Sequence, residues 1–228
     1  MHFFYLATFD IEAQAGPRAL FEIFGIPIND TTVIGYAITI GLIIFARLAT
    51  RNLELLPGRL QNTLEMFLEA IIDTTEGMMP GGGRKFLPFI GTIALFIGFS
   101  NIIGVLPLVK NPTADLNMTL AFGLSVFIFS NAYAIKVKGL WGYLKGYAEP
   151  MVFMLPINIL GELAKPISHS FRLFGNVFGG SVLIALAAYF VPGIIPVPLM
   201  AWFDIFIGLV QALIFTMLAI AYISIASE

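Results

Sequence analysis

Five polar residues recur along one apolar stretch of this chain at intervals of three and four positions. On a helix they form a single polar stripe, made of Glu162, Lys165, His169, Arg172 and Asn176. Asn158 extends the stripe backward, and the small residues Gly179 and Gly180 extend it forward. A charge at the centre of a bilayer costs about 3 kcal/mol on insertion scales. Four ionisable groups in such a stretch therefore indicate a function that handles charge.

Arg172 is the member of the stripe with the most restricted chemistry. Its guanidinium keeps its proton at every physiological pH, so Arg172 is excluded as a proton carrier. It is suited to act as a fixed positive barrier to ions and as a partner for a carboxylate. No acid on its own helix is nearer than Glu162, so we expect another subunit to supply the counter-ion. For Glu162 and Lys165, an ion pair that only holds helices together is an equal alternative.

The composition predicts an integral membrane protein. The 228 residues are 58% hydrophobic and only 11% charged, whereas soluble domains have about 25% charged residues. The complete lack of cysteine excludes disulfides, thiolate metal sites and thiol catalysis. The glycine-rich run GGGRK at 81–85 lacks the pattern of a phosphate-binding loop. The N-terminal residues lack the basic region of a cleaved signal peptide, so we interpret them as mature sequence.

The hydrophobic pattern predicts an all-α membrane fold with about five crossings and one amphipathic surface helix. After an outer segment, 1–30, the predicted crossings cover 31–49, 86–109, 118–135, 151–190 and 194–226. Residues 60–79 have apolar positions at helical spacing. The opposite face is acidic, with Glu65, Glu69, Asp73 and Glu76. We expect this second helix to lie on the membrane surface or against a partner.

The fifth and sixth predicted helices are too long for a perpendicular crossing. From Ile157 to Phe190 a helix would extend roughly 50 Å, against a hydrocarbon core of about 30 Å. The length favours a strongly tilted hairpin of the last two helices, with a kink at Pro166. The alternative is that each helix consists of two broken pieces.

Cations are concentrated on one side of the predicted crossings. Eight of them flank the connections from the first to the third helix and from the fourth to the fifth: Arg47, Arg51, Arg59, Arg84, Lys85, Lys136, Lys138 and Lys145. The other side has only Arg18 and Lys110. The positive-inside rule therefore predicts an outer N-terminus and a cytoplasmic C-terminus.

The predicted orientation also indicates how deep in the membrane each polar residue lies. Arg172 and Gln211 lie near the middle of two antiparallel segments, so we expect them at one depth. Ser181 and Asp204 are then in the outer half, with Asp204 and Gln211 on one helix face because they are seven residues apart. The inner half is predicted to contain Asn158, Glu162 and Lys165.

Several segments resemble subunit a of rotary F-type ATP synthases over nearly the whole chain. They are FRLFGNVFGG (171–180), ELAKPIS (162–168), LVQALIFTMLAIAYIS (209–224), ATRNLELLPGRLQN (49–62), SNIIGVLP (100–107) and NPTADLNMTL (111–120). The resemblance implies a stator subunit facing a ring of c subunits, with Arg172 meeting the ring carboxylate. Two offset half-channels would lead H⁺ or Na⁺ to the ring, and the last two helices would curve along it.

The resemblance also implies partners and a location. The expected partners are the c-subunit ring, the b subunits of the peripheral stalk and the remainder of the complex. The expected location is a bacterial plasma membrane. No cofactor is expected, and ATP chemistry would take place on other subunits, because no nucleotide site is visible in this sequence.

Four positions differ from the common family pattern. Many members have a glutamate nine residues after the arginine and a histidine seven before the glutamine, where this chain has Ser181 and Asp204. We therefore assign the outer half-channel to that pair jointly. His169 replaces a residue that is usually apolar or small, and Asn158 stands where an acid is frequent. Asn176 and Gln211 match polar positions near the arginine.

Two other classes of membrane protein, a secondary transporter and a self-contained ion channel, fit the sequence less well. A secondary transporter with a charged site at mid-membrane would show repeats in two halves, and no internal repeat is found here. A self-contained channel would need a ring of like residues made by oligomerisation. A lone arginine in such a pore would block cations. The stator subunit is preferred over both.

Overall fold

A computed structural model describes residues 18–23, 26–51, 53–54, 58–79, 82–106, 109–148, 151–191 and 196–227. Several sequence-based expectations lie partly outside these ranges. They concern most of the outer segment 1–30, positions 107–108 of the third predicted helix, and positions 194–195 of the sixth.

The described chain is helical apart from one small hairpin that the sequence analysis missed. Strands β1 (Ala19–Ile23) and β2 (Ile26–Asn29) pair antiparallel. The helices are α1 (Asp30–Ala49), α2 (Arg59–Met78), α3 (Leu87–Ile103), α4 (Leu116–Gly146) and α5 (Leu155–Phe190). The last helix, α6, has three consecutive parts: an α-helical turn Pro196–Met200, a π-helical stretch Ala201–Ile207 and an α-helix Gly208–Ser227.

Within the described ranges, five helical segments are long and apolar enough to cross a membrane. They are Asp30–Ala49, Gly83–Ile103, Leu116–Gly146, Val152–Phe190 and Pro196–Ala226. The predicted all-helical membrane fold is therefore confirmed. The chain is a multi-pass membrane protein.

The helix α2 is amphipathic and has little of its surface covered by this chain. Glu65, Glu69 and Asp73 are exposed, whereas Ile71 and Thr75 are buried. The C-terminal part of α2 is fixed by an ion pair of 2.9 Å between Glu76 and Arg84. The apolar side chains nearer its N-terminus are exposed, among them Leu60, Met66 and Leu68. That part of the apolar face is available to lipid or to a partner.

Helix α3 ends earlier than the predicted boundary at 109. The amides of Gly104, Val105 and Leu106 each bond a carbonyl three residues back, at 3.2, 3.1 and 3.0 Å. Bonds of this kind tighten the chain and commonly end a helix. A 3₁₀ turn, Pro112–Ala114, then leads into α4.

Helix α4 is longer than predicted and is broken near its end. It runs from Leu116 to Gly146, not from 118 to 135, because the lysine-rich segment that follows Ile135 is also helical. Lysine and leucine are good helix formers and favour this continuation, whereas the glycines at 139, 142 and 146 weaken it. The break is at Gly139, where φ is 72° and ψ is 161°. Glycine adopts such a conformation because it has no Cβ.

Helix α5 is continuous over its 36 residues, so it is not two separate pieces. A helix of that length extends roughly 54 Å at about 1.5 Å per residue. Pro166 lies inside it and has no amide hydrogen to donate to the carbonyl of Glu162. In α6 the regular α-helix is interrupted, but by a change to π-helical winding at Ala201–Ile207.

The core is formed where α4 packs against α5 and α6, and α3 packs against α6. One apolar cluster joins these four helices and includes Ile97, Val126, Leu173 and Phe215. Gly123 allows α4 and α5 to approach closely. A Cβ at that position would lie 2.2 Å from the hydroxyl of Ser170 and 2.8 Å from the carbonyl oxygen of Pro166.

Two polar clusters hold helix ends together. The first joins the start of α1 to the start of α4, and the second joins α3 to α6. Lys110 pairs with Asp30 at 3.0 Å, and the hydroxyl of Thr31 donates to the Asp115 carboxylate at 2.7 Å. Separately, the side-chain amide of Asn101, which is fully buried, donates to the carbonyl of Gly208 at 2.8 Å. Asn101 thereby connects α3 to the point in α6 where the π-helical stretch ends.

The contact at Gly123 gives a test of this packing. Gly123→Ala is expected to lower the thermal stability of the detergent-solubilised protein, because the added methyl group meets backbone and a hydroxyl that cannot easily move. The loss should be about 1–3 kcal/mol, typical of overpacking. Gly41→Ala is the matched control, since a Cβ there meets nothing within 4 Å. Its helix should gain up to about 1 kcal/mol. Equal melting temperatures for the two variants would contradict the α4–α5 packing.

Candidate functional site

The side chain of Arg172 lies near the middle of α5 and is exposed on the surface of this chain. The ion pairs among the described residues are Arg84–Glu76, Lys110–Asp30 and Lys165–Glu162. Within that part of the chain, no carboxylate is close enough to pair with Arg172. An arginine in a membrane-spanning helix therefore points away from its own protein without a counter-charge.

Asn176 and Gln211 meet next to this arginine. The side-chain amide of Asn176 donates to the side-chain oxygen of Gln211 at 2.8 Å. Asn176 is one helical turn beyond Arg172, and Gln211 is buried in α6. The bond fixes α6 beside α5 at the level of the guanidinium, so the structure brings these two sequence-predicted residues together.

The face of α5 around Arg172 is lined by small residues. Gly175 and Gly179 are spaced so that they lie on the same face as Arg172, in the two turns that follow it. A Cβ built on either glycine meets nothing within 4 Å. The surface beside the guanidinium is therefore open, and another helix can approach it closely.

The other three members of the polar stripe turn toward α4 and α6. Glu162 and Lys165 form an ion pair, and His169 is only 3% exposed. All three line a cavity of about 610 Å³ between α4, α5 and the end of α6. The stripe is continuous in sequence, but the structure divides it. One edge lines the cavity, and the other edge carries Arg172 and Asn176 on the exposed surface.

Among the residues of α5 that line this cavity, His169 is the one nearest Arg172 along the chain. Its ring meets that of Phe215 edge-on, with centroids 3.8 Å apart, and is 5.8 Å from that of Tyr222. Neither ring nitrogen has a hydrogen-bond partner in the described protein. The ammonium of Lys165 lies 5.6 Å from the Tyr222 ring centroid.

The opposite wall of the cavity is polar too, and the sequence analysis did not find it. It includes Asn131, Tyr143 and Tyr147. Asn158 joins this wall to α5, because its side-chain amide donates to the carbonyl of Tyr147 at 2.9 Å. Ser130 and Asn131, two polar residues inside the apolar helix α4, are the sequence signals that could have indicated this wall. The position of the two tyrosines depends on the break at Gly139, which spacing alone does not reveal.

Asp204 and Ser181 lie toward the far end of the α5–α6 pair. Asp204 is in the π-helical stretch, is 8% exposed and has no hydrogen bond or ion pair among the described residues. Ser181 donates to the carbonyl of Val177 in its own helix at 3.0 Å. No hydrogen bond joins Asp204 to Ser181. The helices nevertheless approach closely here, since a Cβ on Gly180 would lie 3.0 Å from that of Phe203.

The arrangement is suited to moving ions. In the part of the chain that the structure describes, no three histidine or acidic side chains are grouped as metal ligands would be. A polar cavity ends near one side of a permanent cation, and a buried carboxyl group lies beyond the other side. The cation faces an open surface that can accept a negatively charged partner.

Residues 31–224 match the model of a protein family described as ATP synthase A chain. The chain is also similar over most of its length to curated proteins. It is 37% identical over 208 residues to ATP synthase subunit a of Moorella thermoacetica, covering 91% of this chain and 95% of that protein.

Two further relatives show a similar likeness. ATP synthase subunit a 2 of a Bradyrhizobium species is 38% identical over 207 residues, covering 91% of this chain and 92% of that protein. The sodium ion specific ATP synthase subunit a of Propionigenium modestum is 35% identical over 216 residues, covering 88% of this chain and 75% of that protein.

Proposed function

This chain belongs to the ATP synthase A chain family, and we propose that it is the stator subunit that moves protons or sodium ions past Arg172. The observation that carries this proposal is the exposed, unpaired guanidinium on the open face of α5. A cation at mid-membrane depth without a counter-charge is costly, so a partner that supplies a carboxylate is expected. A ring of c subunits, each with one acidic side chain, fits this requirement.

The guanidinium has two effects on an ion that travels with the ring. A ring carboxylate arriving at Arg172 is stabilised in its charged form, so it releases its proton or sodium ion there. The permanent charge also repels free cations, so an ion cannot pass directly from one side of the membrane to the other. Because the contact lies on an open surface, the next carboxylate can replace the first as the ring turns.

Two routes lead to the ring from opposite membrane faces. The cavity lined by Glu162, Lys165 and His169 supports an inner half-channel, with Asn158 at its rim. The buried carboxyl group of Asp204 supports an outer half-channel on the far side of Arg172, shared with Ser181. Asn176 and Gln211 provide polar groups next to the arginine and hold α6 in place behind it.

The orientation and the remaining partners follow from charge and exposed surface. With the lysine- and arginine-rich connections in the cytoplasm of a bacterium, the N-terminus is outside and the C-terminus inside. The helix α2 then lies along the cytoplasmic face of the plasma membrane. Its exposed acidic side chains and its uncovered apolar residues offer a surface to the b subunits of the peripheral stalk.

Arg172→Ala is expected to reduce ATP synthesis and ATP-driven ion pumping to background in liposomes that contain the purified complex. Arg172→Lys should fail as well, because a compact ammonium does not reproduce the planar guanidinium fork. Arg84→Lys is the matched control, since Arg84 is on the surface and a lysine can keep the pair with Glu76. Near wild-type synthesis by either Arg172 variant would remove this residue from the mechanism.

Asp204→Asn is expected to slow ion-driven ATP synthesis at least tenfold while the complex still assembles. The amide has the shape of the carboxyl group but neither transfers a proton nor carries a charge. Addition of Ser181→Glu should restore part of the flow by placing an acid on the facing helix. Asp73→Asn, an exposed carboxylate on α2, serves as the control. A rate of ATP synthesis by Asp204→Asn equal to that of the wild type at acidic, neutral and alkaline pH would exclude Asp204 from the outer route.

The position of α2 can be tested because the chain has no cysteine. Single cysteines at Glu65, Glu69, Asp73 and Glu76 are expected to react with a membrane-impermeant maleimide added from the cytoplasmic side. Thr75→Cys, at a fully buried position of the same helix, should stay unlabelled. Labelling only from the opposite side would reverse the proposed orientation, and protection of all four in membranes stripped of the other subunits would show that α2 is buried.

A further inference from the structure

The end of α4 folds against its own earlier turns at the mouth of the inner cavity. The hydroxyl of Tyr143 hydrogen-bonds the side-chain oxygen of Asn131, twelve residues earlier. In a straight helix these two residues would be roughly 18 Å apart along the axis. The change of direction at Gly139 brings them together. Segment 140–146 therefore forms a side wall of the cavity and does not continue the line of α4.

The direction of each hydrogen bond in this cluster can be deduced. The side-chain amide of Asn131 donates to the carbonyl of Phe127 at 2.7 Å, which leaves its oxygen to face Tyr143. An amide oxygen only accepts, so Tyr143 uses its single hydroxyl hydrogen on Asn131. The second bond of Tyr143, to the hydroxyl of Tyr147, must then be donated by Tyr147. Tyr143 is the central member of a three-residue chain.

The same chain is attached to α5. The carbonyl of Tyr147 accepts the side-chain amide of Asn158, and the two tyrosine rings meet edge-on with centroids 5.1 Å apart. Burial, the bond to Tyr143 and the negative charge of Glu162 raise the pKa of Tyr147, so its hydroxyl remains a donor. Segment 140–146 is thus fixed at one side to the body of α4 and at the other to the start of α5.

Charged groups surround the cavity that this wall encloses. Glu162 and Lys165 line it from α5, and Lys138 lines it just before the break at Gly139. An ion moving from the cytoplasm toward Arg172 would pass between these groups and the tyrosine hydroxyls. The width of that passage depends on where segment 140–146 is held, because the glycine at its start permits several backbone directions.

We propose that Tyr143 is a positioning residue of the inner half-channel, whose hydroxyl, held between Asn131 and Tyr147, fixes segment 140–146 so that the cavity stays open to ions from the cytoplasm. The inference rests on the proposed function, because it assigns the cavity to the inner route. Tyr143 itself does not exchange the ion. It acts through the wall that it holds.

The test uses intact complex in liposomes with the cytoplasmic face outward, comparing wild type with Tyr143→Phe. In ATP-driven pumping, ions are taken up from the outside through the inner half-channel. The apparent KM for the external ion, H⁺ or Na⁺ titrated separately, is expected to rise roughly threefold to tenfold on loss of these hydrogen bonds. In ATP synthesis, ions enter from the lumen by the outer route, so the KM for the luminal ion should not change.

The controls separate positioning from general damage. Tyr36→Phe removes a hydroxyl from an exposed tyrosine of α1 and should leave both KM values unchanged. Asn131→Ala should also raise the external KM, because it removes the acceptor of the bond that Tyr143 donates. The double variant should be no worse than Tyr143→Phe, which already loses that bond together with the one from Tyr147. If Tyr143→Phe does not assemble, Tyr147→Phe carries the same test with a smaller expected rise, because it retains the Tyr143–Asn131 bond.

The outcomes distinguish this inference from the function on which it rests. Unchanged external KM in the tyrosine variants, or an equal rise for both directions, overturns the role of Tyr143 and leaves the stator function intact. A wild-type complex that pumps no ions, with Arg172→Ala indistinguishable from it, overturns the proposed function itself. An external KM that rises alone in Tyr143→Phe, and rises no further in the double variant, supports the inference.

Discussion

The rest of the structure depends on one uncompensated charge in the membrane, the guanidinium of Arg172. A charge at that depth costs several kcal/mol unless it is paired or hydrated, and the described part of the chain offers it no carboxylate. The fold therefore makes sense only as part of a complex. Glycines on the same face of α5 leave room for the partner that supplies the opposite charge, and the bond between Asn176 and Gln211 keeps the backbone behind the arginine fixed.

Neither the polar cavity nor the buried acid Asp204 extends through the helices as far as Arg172. The cavity beside α4 and α5 ends at His169, which is packed against Phe215. On the far side, Asp204 is buried beside the close contact of Gly180 with Phe203. Apolar side chains of α4, α5 and α6 fill the space between, in the cluster around Leu173. Among the described residues, packed apolar side chains thus separate the cavity from Asp204. In the proposed function, the ring carries the ion past this gap.

Periodicity predicted the helices and the polar stripe, but not the environments on either side of it. Spacings of three and four residues place Glu162 and Arg172 on one face, yet one of them lines a cavity and the other is exposed. That boundary depends on which helices pack nearby, and a single sequence does not reveal it. The break at Gly139 was missed for a related reason. Gly142 and Gly146 follow closely, and nothing local distinguishes the glycine that takes a positive φ.

The π-helical stretch in α6 shows how a local departure from regular winding can serve a fixed site. A π-helical turn widens the helix and rotates the side chains that follow, so it costs stability unless neighbours hold it. Here the fully buried amide of Asn101 binds the carbonyl of Gly208 where the stretch ends, and Thr113 donates to Asn101 at 2.6 Å. Asp204 lies four residues before Gly208, in a stretch whose end is thereby held to α3. The position of this buried acid is therefore set by packing within the chain.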